Sequence, residues 1–408
     1  MIIKTNTTLK NVLLSIFYIL TLIYQYFDMH NSRNVLWKFS NEGLNRFSVH
    51  LTLFLMIISA GLFFLLTYSH KLINIPLIQI LISLFLWSTL RDLFSNSDLW
   101  LILIHSGLSL MWIFMFNIGY ILGICEDKYA KIALNIFISF SFCIVVYAFK
   151  MSYNYRAITV GTPGVFNLAY SLLVYIPFFL MNFKNNIYKL FFIVTGILVL
   201  ISMKRGAIIC YPLMALCFFI YSDRKSLSKT HKKIFLFLFI TICFILCGYI
   251  INSKFDRTLL QRFSFSELQY GSGRSIQYSN AIKLWLNFSV FYKIFGAGTS
   301  TFIKDLGIAI HNEILAWLCY YGFIGIFLFF IFLKTFYKKQ KDLFKFKSQN
   351  FSSHLAIFIY IIVTSLVSGF YFMHMTLFLF LVLGLIYGKE ELRINSNTIK
   401  FMRESNNY

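Results

Sequence analysis

A histidine, an asparagine and a glutamate, His311-Asn312-Glu313, stand where a basic loop meets an apolar run long enough to cross a membrane. Imidazole exchanges a proton near neutral pH and suits a general base that deprotonates a hydroxyl. Cations precede it in two settings. Lys204-Arg205 directly follows an apolar run, and Arg257, Arg262 and Arg274 lie in the loop itself. Guanidinium groups grip phosphate oxygens bidentately. Together these residue types suit an anionic ligand held beside a base.

Each also has a plainer use. Asn312 suits capping of the helix that follows, with His311 at its mouth. Arg205 and Lys204 suit interfacial anchoring, and Arg257, Arg262 and Arg274 suit a solvated loop. Glu313 would orient a partner or act as the base itself. It lies two positions from His311 and so falls on a different helix face. Residue types alone leave both uses open.

Metal and thiol chemistry are not expected. The nearby carboxylates are Asp256, Glu267, Asp305 and Glu313, without the clustered oxygens a divalent ion wants. The seven cysteines sit in or beside apolar runs and form no Cys-x-x-Cys, so neither disulfides nor zinc is expected. No Walker motif is present. The expectation is a reaction without metal or cofactor.

The elements that must position these residues are apolar. Of 408 residues 59% are hydrophobic and 13% charged, too much apolar surface for a soluble core of this size. Spanning helices need about 20 apolar residues each, so about twelve fit. They are expected near Val12–Phe27, Val49–Leu66, Ile73–Leu90, Trp100–Ile124, Ala130–Phe149, Val165–Met181, Tyr188–Met203 and Ala207–Tyr221. Four more are expected near Ile234–Ile251, Asn312–Leu333, His354–Ser368 and Met375–Tyr387. Period-2 alternation is absent, which argues against an outer-membrane barrel. The fold class is an all-α integral membrane protein. Helices 1–9 lie in residues 1–252, an outward loop in 253–311, helices 10–12 in 312–388, and a polar, unstructured cytoplasmic tail in 389–408.

The heaviest clusters, Arg224-Lys225 to Lys233 and Lys334 to Lys347, fall on the side of both termini, which is therefore cytoplasmic. The first span reads as an uncleaved anchor. The net charge of +22 follows from this bias and from contact with membrane lipids, and nucleic-acid binding is not expected. Cations on the outward side oppose the topology rule, and an anionic ligand there would account for them.

The outward loop has its own pattern. Gly271-Ser272-Gly273-Arg274 precedes an amphipathic helix over Ser275–Phe288, whose apolar residues are Ile276, Ala281, Ile282, Leu284, Trp285 and Phe288. Phe295-Gly296-Ala297-Gly298 makes a second glycine turn. Such turns bring backbone close to a ligand or present N–H groups to phosphate; they also serve as ordinary turns.

The ordered set is more specific than its parts: Arg205-Gly206, Gly273-Arg274, Phe295-Gly296-x-Gly298, His311-Asn312 and Tyr321-Gly322-Phe323-Ile324-Gly325. It resembles the bacterial O-antigen polymerase and O-antigen ligase superfamily, densely from Ser202 to Phe329 and by hydropathy alone upstream. The resemblance implies a GT-C-type glycosyltransferase of the inner membrane, acting at the periplasmic face on undecaprenyl-diphosphate-linked oligosaccharide. It implies His311 as catalytic residue and Arg205 and Arg274 as the diphosphate grip. A chain-length regulator and a flippase are implied as pathway partners. Lys204 stands where the family often has a small hydroxyl residue. The glycine turns look more polymerase-like than ligase-like. A transporter of the same lipid-linked oligosaccharide is the reading from another class. It is disfavoured by the one-sided loop, the lack of matching halves and the scarcity of ionisable residues within spans.

Overall fold

The computed structural model describes residues 7–31, 42–67, 70–95, 99–125, 127–159, 168–202, 204–221, 274–299, 310–368 and 376–405. Every regular element among these residues is a helix. The first group is α1 (Thr7–Asn31), α2 (Glu42–Thr67), α3 (His70–Ile73), α4 (Pro76–Leu93) and α5 (Leu99–Ile124). Next come α6 (Lys128–Thr159), α7 (Leu168–Leu173), α8 (Ile176–Met181), α9 (Asn186–Ile201) and α10 (Arg205–Tyr221). The last group is α11 (Arg274–Leu286), α12 (Val290–Phe295), α13 (Glu313–Lys345), α14 (Phe351–Val367) and α15 (Leu377–Ser405).

Local chemistry sets several boundaries. Pro76 opens α4 and Pro177 sits in the first turn of α8, where a missing N–H is harmless. Asn185 caps α9 by accepting from the Ile187 amide. The run expected to begin at Ile73 therefore begins at Pro76, and the one expected at Val165–Met181 is broken between α7 and α8. Helices α1, α2, α4, α5, α6 and α13 are each long and apolar enough to cross a membrane. Residues 168–181 and helices α9, α10 and α14 are shorter and apolar. Large side chains such as Leu65, Phe140 and Phe327 are exposed on helix flanks, as expected of surfaces that meet lipid. The run expected at Ile234–Ile251 lies outside the described residues.

Contacts along each pair fix helix directions. Helix α1 runs parallel to α6, with Tyr18 stacked on Phe137 and Gln25 bonded to the Ser141 carbonyl and the Tyr175 hydroxyl. Helix α5 runs parallel to α15. The Trp112 indole donates to Thr376 at 3.2 Å, and further along the Tyr120 hydroxyl meets the Glu391 carboxylate. Between them Gly119 and Gly123 face Gly384 and Gly388, two glycine pairs of the same four-residue spacing. A Cβ on Gly123 would stand 3.0 Å from the Gly388 Cα, and one on Gly384 would overlap the Phe116 carbonyl. Small residues at this spacing let helix backbones touch within a membrane.

Helices α13 and α14 are antiparallel. Asn312 reaches Leu366 at one end, and Gln340 meets Phe351 and His354 toward the other. Helix α13 continues well past the expected Leu333, to Lys345. The tail expected to be unstructured is helical to Ser405. Glu390 accounts for its first turns beyond the apolar run: the carboxylate accepts from Ser348 and Asn350 and pairs with Arg393 at 2.8 Å. A polar stretch thus finds its partners in the α13–α14 turn.

Candidate functional site

Three of the expected residues lie at helix starts, and contacts bring those starts to one end of the bundle. Arg205 is the first residue of α10, Arg274 the first of α11, and His311 lies two positions before α13. One turn into α11, the Tyr278 hydroxyl donates to the His311 carbonyl at 2.7 Å. Asn312 donates from its side-chain amide to the Leu366 carbonyl at 3.1 Å, in the last turn of α14. The next residue, Val367, packs against Gly206, the neighbour of Arg205. Helix N-termini carry partial positive charge and suit an anion, and the last turn of α14 brings partial negative charge to the same end.

The individual side chains divide into two groups. His311 is exposed and Arg205 half-buried, both at the bundle surface. Lys204 is half-buried, and its ammonium stands over the Tyr170 ring, 5.6 Å from the centroid. Asn312 caps α13 by accepting from the Leu315 amide at 2.9 Å, so both ends of its side chain are used in structure. Glu313 turns into the bundle, where it is 3% exposed and accepts from the Trp317 indole at 3.0 Å. His311 and Glu313 thus point to different environments, as their spacing requires. Arg257, Arg262 and the Gly271–Gly273 turn lie outside the described residues. Among the described residues no three His, Cys, Asp or Glu side chains gather closely enough to share a metal ion.

A second polar cluster lies deeper, and the sequence reading did not single it out. Tyr321 stands eight residues into α13, about 12 Å along its axis, and the turn at Phe295–Thr299 docks there. Gly298 donates to the Tyr320 carbonyl at 2.9 Å. Trp87 donates to the Tyr321 carbonyl at 3.0 Å, tying α4 to α13. Arg91, buried at the end of α4, donates from Nε to the Gly296 carbonyl at 2.6 Å and lies over the Phe291 and Tyr292 rings. Asp92 is 2% exposed. Its carboxylate accepts from the Thr299 amide at 2.9 Å and from the Tyr321 hydroxyl at 3.4 Å, and His105 Nδ1 stands 3.8 Å away.

The glycines of the Phe-Gly-x-Gly turn therefore meet protein. Gly296 and Gly298 take φ of 87° and 83°, and a Cβ on Gly296 would overlap the Tyr320 carbonyl. Gly322 takes φ of 69° and breaks the helical geometry of α13 where the turn seats. The turn approaches α13 closely, whereas the expected approach was to a ligand. The amphipathic helix expected at Ser275–Phe288 forms as α11. It buries Ala281 and half-buries Leu284 and Trp285, while Ile276 and Ile282 stay exposed.

One signal in the sequence pointed to the deeper cluster. Arg91-Asp92 sits at the end of an apolar run, where ionisable groups are costly and, by default, functional. The chain matches no protein-family model and no curated protein.

Proposed function

We propose that this chain is a membrane glycosyltransferase, the repeat-unit polymerase of an O-antigen or related surface polysaccharide in a bacterial inner membrane. One observation carries the reading. The starts of α10, α11 and α13, which bear Arg205, Arg274 and His311, meet at one end of a bundle of apolar helices. The resemblance to the O-antigen polymerase and ligase superfamily rests on those same residues. Twelve crossings of GT-C type, with both termini cytoplasmic, fit the observed helix directions. Helix α13 begins at this end and finishes among Lys334, Lys338, Lys341 and Lys345, the side where cations favour the cytoplasm.

In this reading the donor is a glycan on undecaprenyl diphosphate and the acceptor a sugar hydroxyl of a second lipid-linked unit. Arg205 and Arg274 hold the diphosphate with the helix N-termini behind them. The acceptor oxygen attacks the anomeric carbon and its proton passes to the His311 imidazole. The bond from that carbon to the diphosphate oxygen breaks, and undecaprenyl diphosphate departs with the electron pair. Glu313, committed to Trp317, takes no part in the transfer.

The test is a surface-polysaccharide ladder from a strain deleted for the gene and complemented with wild type or His311→Ala. The expected result is a single repeat unit on lipid A–core in the deletion, restored by wild type but not by His311→Ala at equal protein level. Bare core with long glycan stranded on the carrier would assign the ligase reaction instead. Full rescue by His311→Ala would remove the catalytic histidine.

A further inference from the structure

The cluster at the end of α4 connects to His311 through the 296–299 turn and Tyr320. Asp92 fixes Thr299 by its amide and hydroxyl, and Arg91 fixes Gly296 by its carbonyl. Between these anchors Gly298 donates to the Tyr320 carbonyl. The hydroxyl of that same Tyr320 accepts from the Ile310 amide at 3.0 Å, one residue before His311. Both flanks of the segment 300–309 are therefore fastened to Tyr320 and Tyr321, at Thr299 on one side and at Ile310 on the other.

Two adjacent ionisable side chains at the end of a span, both buried, are expensive unless their partners repay the desolvation. Here each is matched to one backbone group of one turn. Apolar residues in their place would leave the Gly296 carbonyl and the Thr299 amide without these partners. What the pair adds is a fixed register between α4 and the turn.

We propose that Arg91 and Asp92 are positioning residues, a clamp on the 296–299 turn that sets the place of His311 for transfer. The role rests on the polymerase reading, whereas the clamp itself does not. Asp92 acts through Thr299 and Tyr321, and Arg91 through Gly296. Neither touches the reacting atoms. A displacement of about 1 Å at a reacting group costs on the order of 100-fold in rate.

The test compares wild type, Asp92→Ala and Asp92→Asn in two measurements on the full chain. The first is amide hydrogen exchange of the detergent-purified protein, read over residues 290–299 and 310–312. In Asp92→Ala, exchange should rise there by roughly tenfold or more, as loss of a charge-assisted hydrogen bond implies. It should not change in α9, where a general loss of structure would register. Asn keeps an acceptor for the Thr299 amide, so Asp92→Asn should fall between the two.

The second measurement is the glycan ladder in the deletion strain at matched protein level. Polymer should fall on the order of 100-fold with Ala and recover in part with Asn. Unchanged exchange over 290–299 overturns the clamp. Raised exchange with an undiminished ladder overturns its positioning role. The deletion strain by itself judges the polymerase: a full ladder without the gene sinks that reading, while the exchange measurement still decides the clamp.

Discussion

Gly296 and Gly322 lie backbone against backbone: a Cβ added to Gly322 would stand 2.5 Å from the Gly296 nitrogen, and both residues take left-handed φ. Two glycine motifs from different parts of the chain thus form one contact. Alanine at either position meets both a conformational penalty and a steric one, together roughly 2–5 kcal/mol. Thermal unfolding in detergent should show both single variants destabilised. Because they spoil the same contact, the double variant should lose clearly less than their sum. Full additivity would mean the two glycines are needed for separate reasons.

Tyr278 reaches His311 through the backbone, so Tyr278→Phe removes one hydrogen bond and leaves the ring. The loss of about 1 kcal/mol is small for the fold. Its effect on the place of α11 relative to His311 should nevertheless shorten the glycan at unchanged protein level. A wild-type ladder from Tyr278→Phe would show that this link does not govern transfer.

Glu313→Gln and Glu313→Ala separate chemistry from structure. Glutamine still accepts from the Trp317 indole, so it should keep polymer within a few-fold of wild type. Alanine strands a buried indole N–H and should lower stability by about 1–3 kcal/mol. Should Glu313→Gln abolish polymer while the protein stays folded, the base would be Glu313 rather than His311.

The α5–α15 contact predicts a contrast between glycines. Gly384→Ala drives a methyl into the Phe116 carbonyl and should destabilise by about 1–3 kcal/mol. Gly61→Ala meets only the Phe114 ring edge at 3.7 Å and gains helix propensity, so it should be neutral or slightly stabilising. Equal losses at both positions, measured by unfolding in detergent, would contradict close packing of α5 on α15.

The sequence made helices such as α5 and α14 legible because each is an unbroken apolar run between polar turns. The ends of α5 and α14 fall within about three residues of the expected spans. What it hid were helices that outlast their apolar stretch. Beyond Leu333, α13 is held by Phe336, Gln340 and Leu343 on its inner face, with Lys334, Lys338 and Lys341 outside. That alternation is too sparse to read as a span. At the site, His311, Arg205 and Arg274 were visible by type and order. Tyr278 was not, and Arg91 and Asp92 showed only as charges at the end of an apolar run, because their partners lie far along the chain.

The parallel seat of α15 on α5 also sets an order of assembly. Phe378 packs on both Phe137 and Tyr175, and Trp112 waits for Thr376, which follows it by 264 residues. At about 5–20 residues per second that interval is roughly 13–50 s of synthesis. Within it the nascent chain completes α6 and α8, and with α5 these three helices precede the α15 that packs on them. A helix made late thus closes the packing of α5, α6 and α8, and a ribosome that stops short of Thr376 leaves a chain that cannot complete that packing.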